Sequence, residues 1–182
     1  GFRAASAREE PAMPVSMFEF SVPVFARTLR NLRSVLEIGE KFSAEKGIAP
    51  EVMLATRLLP DMLPLVKQVQ IATDMAKNGC MRLTDTDPVP FADDEASFAE
   101  LYARLDRCIA LVEGFKPAQF EGSESRAITF KTRAGDLSFD GLGYLTTYVV
   151  PNLFFHASIA YAILREAGAP LGKNDFLAGA GR

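Results

Sequence analysis

Apolar residues at Phe18, Val22, Phe25, Leu29, Leu32 and Leu36 recur at alternating spacings of four and three, which is one continuous seam on a helix. The spacing predicts a first helix from Met17 to Glu45. Pro23 falls near its start, where a missing amide does little harm, and Gly47 is its natural stop. The next stretch, RLLPDMLPLVKQVQIATDMAKNG, holds Pro60 and Pro64. Because proline is tolerated only in a first turn, a second helix is expected from Pro60 or Asp61, with Met62, Leu65, Val69, Ala72 and Ala76 as its stripe and Gly79 as its end. TDTDPVP, Thr84 to Pro90, is a connection.

A third helix is expected to open at the acidic pair Asp93 and Asp94 and to bury Phe98, Leu101, Leu105, Cys108 and Val112, with Gly114 and Pro117 closing it. In AITFKTRAGDLSF, β-branched and aromatic residues flank Arg133-Ala134-Gly135, a short hairpin. A fourth helix follows from about Asp140, and its seam reads Leu145, Val149, Asn152, His156, Ile159 and Ile163. The glycine-rich tail places Phe176 and Leu177 over the bundle end. These elements predict an all-α fold, a four-helix bundle with a small β-hairpin between its third and fourth helices, as a single domain over 13–182. Residues 1–12, GFRAASAREEPA, lack the apolar run of a secretory signal and read as a tag remnant or a disordered leader, with Met13 as a natural start.

Composition narrows the function classes. The 182 residues carry 20 Lys+Arg against 23 Asp+Glu with the signs interspersed, so no basic field exists to gather nucleic acid or anionic lipid. Cys80 and Cys108 follow neither zinc nor CxxC spacing and are expected to stay reduced, which fits a cytoplasmic protein. The uncharged run Gly141 to Leu164 is long enough to span a bilayer, but Thr146, Thr147, Asn152, His156 and Ser158 interrupt it and Pro151 breaks it. We read it as a core helix and expect no membrane partner.

The polar residues on the fourth seam are the candidate chemistry. Asn152 and His156, the only histidine of the chain, need hydrogen-bond partners if buried. Asp61, with Gln68 two turns later on the same face, is the expected partner, a carboxylate able to orient the imidazole for general-base work. Tyr144, Tyr148 and Tyr161 complete the expected pocket. Three readings of His156 stay open: a satisfied core histidine, a metal-free polar pocket, and a bound catalytic metal. Arg27, Arg30 and Arg33 read as a solvated face.

At RLLPDMLPLVKQVQIATDMAK, PNLFFHASIAYAILREAG and LGKNDFL, the chain resembles the DinB-like, or YfiT-like, metalloenzyme superfamily, in a bacterial branch classed as a domain of unknown function. The resemblance implies a four-helix bundle, commonly homodimeric, with an end site that in other members holds a divalent metal through three histidines, one from the second helix and an HxxxH pair from the fourth. Some such relatives are thiol-dependent transferases or isomerases, a class in which His156 would serve as base. Here His156 matches the first histidine of the pair, Ala160 stands at the second, and Asp61 lies near the remaining ligand, so the resemblance implies a degenerate site without a tight metal, at which His156 and Asp61 with water would hold a divalent ion only weakly. A non-enzymatic interaction protein, with an apolar helix face forming a homodimer, is a further alternative.

Overall fold

The computed structural model describes residues 15–178; the leader proposed for residues 1–12 and the start at Met13 lie outside them. The seams fold as long helices: α1 is Val22–Glu45, α3 is Leu65–Thr84, α4 is Phe98–Gly114 and α5 is Gly141–Glu166. Two short helices, α2 (Pro50–Ala55) and α6 (Lys173–Ala178), flank the first and last of these. Between α4 and α5, β1 (Ile128–Thr132) and β2 (Gly135–Phe139) pair antiparallel, with Thr132 opposite Gly135 across the Arg133-Ala134 turn. α1 packs on α4 and α5, and α3 packs on the same two, so α1 and α3 stand diagonally in a four-helix bundle.

The interior seams of α1 and α4 are as expected: Phe25, Leu29, Leu32 and Leu36, with Leu101, Leu105, Cys108 and Val112, are all fully buried. Helix starts differ from the pattern for identifiable reasons. α1 begins at Val22 because Ser16 and Glu19 cap a separate turn ahead of it, each accepting from the other's backbone N–H at 3.1 Å. α3 does not begin at Pro60 or Asp61. A helix starting there would meet Pro64 one turn later, with no N–H to donate and a ring pressed on the Pro60 carbonyl, so the helix begins only after the second proline. α4 opens at Phe98, not at Asp93 or Asp94, since Ser97 accepts from Glu100 N–H at 3.2 Å while the Glu100 carboxylate accepts from Ala96 N–H at 2.6 Å. Nor do Arg30 and Arg33 form a merely solvated face: Arg30 pairs with Glu113 at 2.5 Å and Arg33 with Asp106 at 3.0 Å, tying α1 to α4.

Gly79 does not end α3, which continues to Thr84. The glycine is there for proximity: a Cβ at Gly79 would lie 2.8 Å from Val149 Cγ1 on α5, and one at Gly39 on α1 would lie 2.6 Å from Leu164 Cδ2. α5 therefore nests against both neighbours at side-chain-free points.

α5 is long and apolar enough to cross a membrane by length and composition, yet here it packs as one helix of the bundle, in its most extensive pairing with α3. Its turns widen to i→i+5 bonding over Tyr144–Val149, where Val150 N–H donates to the Leu145 carbonyl. Pro151, directly after, has no N–H for the Thr147 carbonyl, and the wide turn makes room for its ring. The extra residue delays the core stripe, which runs Leu145, Val149, Leu153, Ala157, Ala160 and Leu164, all fully buried. Asn152, His156 and Ile159, expected on the buried seam, lie half-buried beside it.

Val149 is β-branched and enclosed, so it cannot turn away from a new side chain. Gly79→Val is expected to destabilise by about 1–3 kcal/mol in urea unfolding, with part recovered by adding Val149→Ala. An unchanged midpoint would show that the two helices do not meet this closely.

Candidate functional site

Gln68 lies in the first turns of α3, where the helix leaves Pro64, and is 2% exposed. Its side-chain amide donates from Nε2 to the Leu63 carbonyl at 3.0 Å, which turns Oε1 toward α5. There Oε1 meets His156 Nδ1 at 2.7 Å. An amide oxygen can only accept, so Nδ1 carries the proton and Nε2 keeps its lone pair. No hydrogen bond to Nε2 forms among the described residues. Burial holds the imidazole below its ordinary value of 6.5, because the charged form loses solvation. The Phe155 ring stands edge-on to it at 5.1 Å. The outcome is a neutral, oriented imidazole with one free acceptor beside the first turns of α3.

The other expected site residues fall elsewhere. Asp61 is exposed in the connection between α2 and α3, and no hydrogen bond or ion pair engages it among the described residues; Gln68, not Asp61, faces His156. Asn152 donates its side-chain amide to the Tyr148 carbonyl at 2.6 Å, one turn back on its own helix. Tyr144 and Tyr148 lie about 18 and 12 Å from His156 along the helix axis, at 1.5 Å per residue. They pack with Phe130 and Phe139 of the hairpin, Tyr148 at 5.2 Å from Phe130 and 5.6 Å from Phe139. Tyr161 stacks edge-on with Phe176 of α6 at 5.9 Å, which holds the tail as expected, while Leu177 contributes its carbonyl to Arg27 and Asn31 rather than a buried side chain. The pocket of converging tyrosines is thus not assembled around His156. Among the described residues no group of three His, Cys, Asp or Glu is placed to hold a metal ion.

A second polar constellation escaped the pattern. Arg104 on α4 is 4% exposed and donates Nε to Thr73 Oγ1 at 2.7 Å, Nη1 to Ala92 O, Asp93 and Glu95, and Nη2 to Asp74 at 3.1 Å. It draws the Asp85-to-Ser97 connection onto α3. Lys77, also buried, donates to the Val89 carbonyl at 2.8 Å and to Asn78 at 2.7 Å. Burial pushes the Asp74 carboxyl up and the Lys77 ammonium down. The signal was a charge inside an apolar arc, since Arg104 falls three residues after Leu101 and four before Cys108. Both cysteines are free and buried, with the Cys108 thiol pushed up to about 12, so neither supplies a thiolate near neutrality.

Residues 17–177 match the family model described as a domain of unknown function, DUF1993. Among solved structures, the chain is 34% identical to a DinB family member protein from Shewanella denitrificans, with a TM-score of 0.83 over 91% of this chain and 94% of that one. No curated protein matches the chain.

A histidine whose folded value is depressed leaves stability intact above about 6.5 and loses it as pH falls below, because the unfolded chain takes up the proton first. Between about pH 7.5 and about pH 5 the parent protein should therefore lose more unfolding free energy than His156→Gln, and ¹⁵N spectra should place the imidazole proton on Nδ1. Identical pH profiles, or a proton on Nε2, would contradict this geometry.

Proposed function

The chain belongs to the DUF1993 family, with a DinB-like fold, and from that premise we propose that its His156 site is a degenerate metal centre that serves as a small-ligand site without a tight metal. The observation carrying this reading is the Gln68–His156 hydrogen bond, which fixes the tautomer and leaves Nε2 as an acceptor. Ala160, where the resemblance implies a second imidazole, is fully buried and offers no ligand. With His156 as the lone strong donor, a divalent ion would bind weakly through it and water. Elemental analysis of untagged protein is expected to find no stoichiometric zinc or nickel; metal at one equivalent, lost in His156→Ala, would overturn the reading.

A second reading has the same observation in its favour. A neutral imidazole held by Nδ1 and open at Nε2 is what a general base requires, so the site suits proton abstraction from a thiol or other weak acid supplied by the substrate. The chain's own buried cysteines do not take that part.

We also propose that a second copy of the chain covers the outer face of α5. Phe154 and Phe155 are exposed there at 37% and 54%, on a helix uncharged from Gly141 to Leu164. Light scattering should report a dimer that persists through about a hundredfold dilution and is lost in Phe155→Glu. A parent protein that is monomeric throughout would count against it.

A further inference from the structure

A cleft of about 410 Å³ opens between the end of α3, the Asp85-to-Pro88 segment and the start of β1, far from His156. Its volume lies within the roughly 300–1,000 Å³ usual for small-ligand sites. Two guanidiniums line it. Arg82 is fixed in place: its Cζ sits 4.2 Å over the Phe130 ring and Nη1 donates to Tyr144 Oη at 2.9 Å, and it forms no other hydrogen bond among the described residues. Arg126 is held loosely by Asp85 at 3.5 Å, while its Nε is buried and finds no hydrogen-bond partner. Buried donors are nearly always satisfied, so the unmet Nε favours a small turn of this part-exposed, loosely held side chain that would bring its N–H to an acceptor in the cleft. Two carboxylates share the same cleft. Asp85 is 85% exposed, and Asp87 is exposed beside it.

We propose that this cleft binds a small zwitterion of the amino-acid type, its carboxylate on Arg82 and Arg126 and its ammonium facing Asp85 and Asp87. Arg82 and Arg126 are half-buried while Asp85 and Asp87 are exposed, an order of charges that suits an α-amino acid entering carboxylate first. Planar guanidinium forks suit a carboxylate, and the cation–π platform under Arg82 fixes one of them in advance. A phosphate dianion, by contrast, would bring its second charge against both aspartates.

The test is NMR titration of the intact chain with the twenty amino acids, their amides, the matching deaminated carboxylates and inorganic phosphate, each at roughly 10 mM, which would largely fill a site of millimolar Kd. At least one amino acid should shift the resonances of Arg82 and Arg126 and bind more tightly than its amide or its deaminated analogue. Arg126→Gln should weaken it by about tenfold or more. Asp87→Asn, an exposed change that leaves the fold alone, should weaken the amino acid and leave the deaminated carboxylate unaffected. The proposal fails if no amino acid binds, if phosphate binds as well as the best of them, or if both variants bind like the parent protein.

Discussion

Pro151 sits in the body of the last helix, where its missing N–H and its ring forbid the regular ladder, and the rest of the molecule is arranged around that fact. The widened turns before it set the rotation of everything that follows. Leu153, Ala157 and Ala160 turn inward, and His156 turns to the flank, where it reaches Gln68 and keeps one nitrogen open. The widened segment before the proline directs Tyr144 and Tyr148 at the hairpin, so the hairpin is anchored by an aromatic cluster rather than by its own two strands, which would be marginal alone.

Where α5 is organised by a backbone defect, the opposite side of the bundle is organised by charge. Arg104 removed from water must find partners for every N–H, and it finds them on α3 and along the Asp85-to-Ser97 connection at once. That requirement explains why Asp93 does not start the helix: with Glu95 it is committed to a guanidinium, and the short polar Ser97 does the capping instead.

Much of the fold was legible because it depends on periodicity. The stripes of α1 and α4, the hairpin turn at Arg133-Ala134 and the Asp140 cap of α5, which accepts from Gly143 N–H at 2.6 Å, all follow from local spacing and turn chemistry. What could not be read depends on interactions between segments. Two prolines four apart exclude a helix start that either alone would favour. Gly79 looks like a terminator until Val149 is seen against it. The phase of α5 slips by a residue through the wide turn, which moved Asn152 and His156 off the seam. At the candidate site, His156 and Gln68 were both visible as polar residues on apolar helices, but their pairing with each other, rather than with Asp61, required the geometry of the Pro64 entry to α3.

The two glycine contacts on α5 stand at its residues Val149 and Leu164, about 22 Å apart along the axis, and belong to different neighbours, α3 and α1. Two notches on separate helices act as a vernier. A slide of α5 by even one residue would drive a side chain into a helix backbone at both ends. His156 lies between them, so its height relative to Gln68 is fixed by steric contacts that involve neither residue, and the imidazole can be presented to a ligand without any bond spent on holding the helix in register.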